Sequence, residues 1–443
     1  MKWYLEDNNK AISNKGMGWV SHVYCGDTVD YNDVEEVKYV DNVALLYTWS
    51  EIEIEEGVFD FSKIDEKIEK YTSRGQYIHF RISTDPMIYN GAKGVPNWVF
   101  EKYNVKYFER DDYGCVAKFP DYLDKNYQRC LKNFLDKMAE KYGDNKNILQ
   151  IDLRGYGEWG EWHSGYLHEN LATHNEALKQ IIDIWAKAFE KTNIPLAISS
   201  SYEWRSDLKF NLHAPRSFDE YKYYQGFDTL ENYSNITFRR DGIAGALRVY
   251  DKQIIDEHYK NGKYGITAEF FSTYLKSKEM PDGVRGYHTL DALEEAFQIH
   301  PNYMMFMWDS NQFYNERFDL VEYGLKRMGF RLLPKEIEID QINKTGYTTI
   351  KQCWINTGSG KLDYDASLHI ELVSNSQTKK FIDKSFNPKR ILDKEYNHIT
   401  NVSFEGLSGE VEVYISLVDD DGKKLNLPLD GTCGRYKVCT INI

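Results

Sequence analysis

Eight short runs of apolar and β-branched residues alternate with stretches of helical period from the start of the chain to about Leu333. A strand followed by an amphipathic helix buries its apolar surface only when the helix packs back on a parallel sheet, so the alternation calls for βα units. The candidate strands are Met17–Val23, Val43–Trp49, Tyr77–Ser83, Ile148–Arg154, Pro195–Ser201, Ile236–Arg240, Tyr264–Phe270 and Tyr303–Trp308. Helical period appears over Phe61–Arg74, Asp121–Tyr142, Asn170–Lys191, Leu247–Tyr259, Leu290–His300 and Arg317–Met328, and is weaker after the first and fifth strands. Gly75, Gly143, Gly262 and Gly329 each follow a helical stretch, where a left-handed C-cap is expected. Residues 1–333 are therefore expected to form a (β/α)8 TIM barrel with long loops.

From Pro334 the pattern changes to short alternating segments, Glu336–Ile339, Thr348–Trp354, Ser367–Leu372, Val411–Leu417 and Tyr436–Ile443, parted by turn sequences such as Asn356-Thr357-Gly358-Ser359-Gly360. No helical period continues there. Residues 334–443 are expected to be an all-β sandwich appended to the barrel. No internal repeat and no low-complexity linker separates the two.

Charge narrows the partners. Lys and Arg number 55 against 69 Asp and Glu, a formal charge of -14, which repels a phosphate backbone or an anionic lipid surface. Neither nucleic acid nor a membrane is an expected partner. The start has no apolar targeting core and no run of 18 apolar residues occurs, so the chain reads as soluble, either cytoplasmic or the mature part of a secreted protein. The six cysteines form no C-x-x-C pair; free buried thiols are expected, with a Cys433–Cys439 bridge as the other reading. No metal and no other cofactor is called for.

In a barrel, chemistry is built at the carboxyl ends of the strands. The fourth candidate strand runs into Arg154-Gly155-Tyr156-Gly157-Glu158-Trp159-Gly160-Glu161-Trp162-His163, and the seventh ends in Glu269. Two carboxyl groups facing one pocket are what cleavage of a glycosidic bond needs, one to protonate the leaving oxygen and one to attack the anomeric carbon. Either Glu158 or Glu161 can supply the acid. Arg81, Asp85, Arg154 and Arg239 at other strand ends, with Trp159, His163, Trp308, Asp309 and Asn311, are candidate substrate ligands. Each has a plain alternative: the arginines can pair with Glu269 in a structural network, Arg81 can pair with Asp85 and steady the loop after strand three, and the tryptophans can simply pack.

The stretch Trp49-Ser50-Glu51-Ile52-Glu53-Ile54-Glu55-Glu56-Gly57-Val58-Phe59-Asp60-Phe61 resembles the segment after strand two in β-galactosidase-like families of the clan A glycoside hydrolases. That resemblance implies an acid/base glutamate at the end of strand four, a nucleophile at the end of strand seven and a tryptophan at the end of strand eight, the places of Glu158, Glu269 and Trp308. The segment DLRGYGEWGEWH further resembles poorly characterised bacterial proteins built from such a barrel and a C-terminal β-domain. Two departures stand out: Gly157 occupies the position where the clan commonly has asparagine, and strand six ends in Phe238-Arg239-Arg240-Asp241 without the usual tyrosine. The expected activity is glycoside hydrolysis of an oligosaccharide or polysaccharide by a retaining mechanism. The alternative is a non-catalytic carbohydrate-binding protein on a barrel scaffold, which has no need of two facing carboxylates. A Schiff-base enzyme would want a lysine at a strand end, and none of the eight has one.

Overall fold

The computed structural model describes residues 1–24, 39–85, 94–112, 115–157, 159–162, 168, 170–200, 214–243, 249–271, 273–279, 289–306, 310–375 and 377–443. They divide into two compact units, Trp19–Ile299 with Tyr303–Phe318, and Met1–Gly18 with His300–Asn302 and Asp319–Ile443.

The larger unit is a closed barrel of eight strands in chain order: Gly18–Tyr24, Asn42–Thr48, Tyr77–Ser83, Ile148–Arg154, Leu196–Ser199, Ile236–Ile243, Ile266–Phe270 and Pro301–Met305. These are called strands one to eight below. Strands three and four fall on the expected residues, while strand eight ends three residues earlier than its apolar run suggested. The helix Lys125–Tyr142 shows how the outer layer is specified. Asp124 accepts the N–H groups of Asn126 and Tyr127 at its start, and Tyr127, Leu131, Phe134, Leu135 and Met138 recur at helical spacing on the buried face. Gly75 and Gly329 adopt the left-handed conformation expected of helix ends, with φ of 80° and 67°. Gly143 does not: its φ is −58°, and glycine stands there because a Cβ would lie 2.5 Å from the Ala139 carbonyl oxygen. Gly262 has no positive φ either.

The smaller unit is a sandwich of two antiparallel four-stranded sheets. One has the order Lys2–Tyr4, Leu332–Ile339, Tyr347–Asn356, Tyr396–Ser403; the other Thr378–Asp383, Ala366–Val373, Glu410–Asp419, Tyr436–Asn442. Ile337, Ile350 and Trp354 of the first and Leu368, Ile370, Val413 and Leu417 of the second share one apolar core. The three strands absent from the sequence reading, Lys2–Tyr4, Thr378–Asp383 and Tyr396–Ser403, are all edge strands. Their polar side chains protect open edges and hide the alternation that marks a buried strand. The boundary expected at residue 333 also shifts. Lys2 pairs with Glu338 and Tyr4 with Glu336, so the first residues belong with the β-unit. Buried Arg331 fastens them further, donating to both carboxylate oxygens of Asp7 and to the Lys10 carbonyl.

Cys130, Cys353 and Cys439 are buried free thiols, as expected. Cys433 is free and exposed, so it neither bridges to Cys439 nor fits the buried reading. Among the described residues, no helix is long and apolar enough to cross a membrane.

Candidate active site

Side chains alternate across a strand, so residues two apart share the barrel interior. Four strands place charges on that face: Arg81 on strand three, Asp152 and Arg154 on strand four, Arg239 and Asp241 on strand six, and Glu269 on strand seven. Arg81 stands beside Asp152 in register, and Arg239 beside Thr267, two residues before Glu269. All but Asp241 are buried, Glu269 to 2% and Arg81 and Arg239 to 1% residual exposure. Barrel interiors are commonly filled by branched apolar residues, so a charged layer here calls for a reason.

The charges compensate one another. Arg81 donates through Nη1 to Glu269 Oε1 at 2.9 Å and through Nη2 to Oε2 at 3.1 Å, a two-pronged grip, while its Nε reaches Asp152 Oδ2 at 3.0 Å. Arg239 repeats the arrangement from the other side, donating through Nη1 to Glu269 Oε2 and through Nε to Asp152 Oδ1 at 3.1 Å. Glu161 Oε1 accepts from Arg154 Nη2 at 2.7 Å and lies 3.6 and 3.7 Å from Arg81 and Arg239. Three guanidiniums thus face the carboxylates of Asp152, Glu161, Asp241 and Glu269. One carboxylate oxygen each from Glu161, Asp241 and Glu269 lies within 4.8 Å of the others, but the arginines already supply the positive charge that a cation would bring.

Burial pushes the Asp152 carboxyl up, but Arg239, Arg81 and Arg154 outweigh it and hold it below the usual aspartate range. Burial opposes the charge on Arg81 and Arg239, and the carboxylates of Glu269 and Asp152 more than restore it. Arg154 is the exception, lowered by burial and by the neighbouring Arg81. His22, 3.4 Å from Arg81 Nη1, is driven well below its normal value by burial and by the same arginines, so it is neutral.

Of the residues singled out in the sequence, the structure thus brings together Arg81, Arg154, Glu161, Arg239 and Glu269. Arg154 donates to Asp152, Glu161 and the Trp159 carbonyl, and Arg239 to Asp152 and Glu269. Asp85 does not pair with Arg81; it is buried against the Tyr122 hydroxyl. Trp159 is half-buried in the loop after strand four, and its carbonyl accepts from Arg154 Nε at 2.8 Å. Asn311 is half-buried in the first turn of the helix Ser310–Glu316. Glu158, His163, Trp308 and Asp309 lie outside the described residues. The sequence reading missed Asp152, His22 and Asp241. The signal for Asp152 was available, because it stands two residues before Arg154 and must share its face.

The stretch from Trp49 to Phe61 is scaffold rather than chemistry. Buried Glu53 accepts from Trp49 Nε1 at 2.7 Å and from the Gly57 N–H at 2.9 Å, which explains tryptophan, glutamate and glycine at four-residue spacing. Asp60 accepts from the N–H and hydroxyl of Ser62 at the start of the next helix. Glutamine at position 53 can serve only one of the two donors. Glu53→Gln is expected to cost about 1–3 kcal/mol, read as a lower denaturant midpoint at unchanged slope.

Residues 30–173 match the family model Glyco_hydro_42, described as β-galactosidase. β-Galactosidase LacZ of Lactobacillus acidophilus is 27% identical over 110 residues, 24% of this chain and 15% of that protein, so the chain matches only a small share of its relative's length. Endogalactoceramidase is similar at a TM-score of 0.43 and 12% identity, covering 90% of this chain and 99% of that one. Endo-glycoceramidase II from Rhodococcus sp. stands at 0.42 and 12%, with the same coverage. The catalytic domain of β-amylase from Paenibacillus polymyxa stands at 0.41 and 12%, covering 66% and 93%. The family match agrees with the resemblance carried by Trp49–Phe61: the segment 30–173 is similar to the β-galactosidase family of glycoside hydrolases. It takes in Arg81, Asp152, Arg154 and Glu161 and ends before Arg239 and Glu269.

Proposed function

We propose that the chain is a glycoside hydrolase that cleaves an oligosaccharide or polysaccharide with retention, Glu269 acting as nucleophile and Glu158 as acid and then base. Glu269 attacks the anomeric carbon as the glycosidic C–O bond breaks, and the leaving oxygen takes the proton of Glu158. Water, deprotonated by Glu158, then displaces Glu269 from the sugar. The observation that carries the reading is the strand-seven carboxylate held between Arg81 and Arg239, with a carboxylate oxygen of Glu161, from the loop after strand four, within 4.8 Å of it. A carboxylate offers about four lone-pair positions, and three on Glu269 are taken. The remaining one is on Oε1, which accepts from Arg81 Nη1 alone, so Oε1 is the attacking oxygen. Glu161 accepts from Arg154 and lies within 4 Å of Arg81 and Arg239, so it is assigned as one of their charge partners, not the proton donor. A carbohydrate-binding barrel without catalysis is the second reading, and the small exposure of Glu269 favours it.

The test is hydrolysis of a panel of aryl and natural glycosides by wild type, Glu158→Ala and Glu161→Ala. Glu158→Ala should lose roughly 100-fold or more on unactivated substrates and little in the first step on those with good leaving groups, because a good leaving group needs no proton. If Glu161→Ala shows that dependence instead, the acid is Glu161. A wild type that binds sugars and cleaves none supports the binding protein.

A further inference from the structure

Past the carboxyl ends of strands three and four lies a buried polar chain that the charge cluster does not use. Asp85 stands two residues past the end of strand three and is fully buried. The Tyr122 hydroxyl donates to Asp85 Oδ1 at 2.5 Å and accepts the Gly157 N–H at 2.9 Å. The second oxygen of Asp85 has no hydrogen-bond partner. A buried carboxyl with one neutral partner adds little to stability and costs desolvation, and burial raises it well above the usual aspartate range.

What this chain holds is an improbable piece of backbone. Between Gly157 and Trp162, Gly157, Trp159, Gly160 and Trp162 have φ of 76°, 57°, 69° and 66°. Tryptophan in the left-handed region is strained and persists only where its surroundings impose it. The loop is tied at the Gly157 N–H to Tyr122, at the Trp159 carbonyl to Arg154 and at the Trp162 N–H to the Tyr156 carbonyl. In sequence, Glu158 stands between the first two ties.

We propose that Tyr122, oriented by Asp85, is a positioning residue that holds Gly157 and the strand-four loop, whose sequence carries the proposed acid. A hydroxyl has one proton; committing it to Asp85 turns an oxygen lone pair toward Gly157, which a freely rotating hydroxyl would not guarantee. This role rests on the hydrolase reading, and its test has a reading that does not.

The test compares full-length wild type, Tyr122→Phe, Asp85→Asn and Asp85→Ala. Phenylalanine keeps the ring against Tyr156, whose centroid lies 4.4 Å away, and removes only the hydroxyl. Tyr122→Phe should speed amide exchange in the peptide spanning residues 156–162 about tenfold, with the rest of the barrel unchanged. It should lower hydrolysis of unactivated glycosides about tenfold or more and leave activated aryl glycosides nearly as fast. Asp85→Asn keeps an acceptor and should resemble wild type; Asp85→Ala should resemble Tyr122→Phe and serves if the latter fails to fold. Unchanged exchange at 156–162 overturns the proposal. So does an equal loss on both substrate types, which marks a general structural role. If wild type cleaves no glycoside, the hydrolase reading fails while exchange still decides whether Tyr122 holds the loop.

Discussion

Glu269→Ala is expected to lower hydrolysis on the order of 10⁴-fold or more, with the loss in kcat rather than KM. In the retaining scheme no other group can form the glycosyl intermediate, so the first step has no substitute path. The variant also leaves room for a small anion beside the anomeric carbon. Azide should therefore restore turnover of an activated glycoside and give a glycosyl azide of inverted configuration, checked by the NMR coupling of the anomeric proton. Removing Glu269 unpairs Arg81 and Arg239, so the melting temperature is measured beside the rates, and Glu269→Gln, which keeps one acceptor, serves as the folded control. An inactive, folded variant that azide does not rescue, or rescue with retained configuration, removes Glu269 from the nucleophile's role.

Asp152→Asn carries the largest expected effect on stability. Its two oxygens separate the guanidiniums of Arg81 and Arg239, each bonded at about the same distance, 3.0 and 3.1 Å. An amide presents one oxygen and one N–H₂, so one arginine would face a donor and a buried like-charge pair would lose its screen. Breaking a buried pair in this way costs about 3–5 kcal/mol, measurable by denaturant unfolding. The pH dependence has a definite sign. The folded carboxyl sits below the unfolded value near 3.8, so its stabilisation is fully present above that value and is lost as pH falls through the lower folded value. Wild type should weaken on acidification below about pH 4, and the Asp152→Asn variant should lack that component. Equal stability of the two proteins at pH 7 would show that the charge layer does not hold the barrel together.

In the two barrel strands read to the residue, Tyr77–Ser83 and Ile148–Arg154, apolar and polar residues alternate over most of the length. Periodicity of that kind is local, because it records which face of a segment must leave water, and it needs no knowledge of the neighbours. The same local logic marked the change at Pro334, placed Arg154 and Glu269 at strand ends and put Glu161 in the loop after strand four. It missed Lys2–Tyr4, Thr378–Asp383 and Tyr396–Ser403, since these edge strands, unlike Tyr436–Asn442, bury too little to show a period. It also left Arg81 beside Asp85 in sequence as a possible pair, although Arg81 turns inward and Asp85 lies against Tyr122.

What the sequence determined by itself was the barrel, the sandwich and the set of charges at the strand ends, all consequences of spacing along a few residues. The partners of those charges were decided only by the tertiary structure. Asp152 lies 71 residues from Arg81 and 87 from Arg239, and Arg81 lies 188 from Glu269. Pairing at such separations follows from closure of the barrel, where strand stagger sets which inward side chains share a level. Once closure excludes water, each buried guanidinium must find a carboxylate, and the stagger leaves these as the ones within reach.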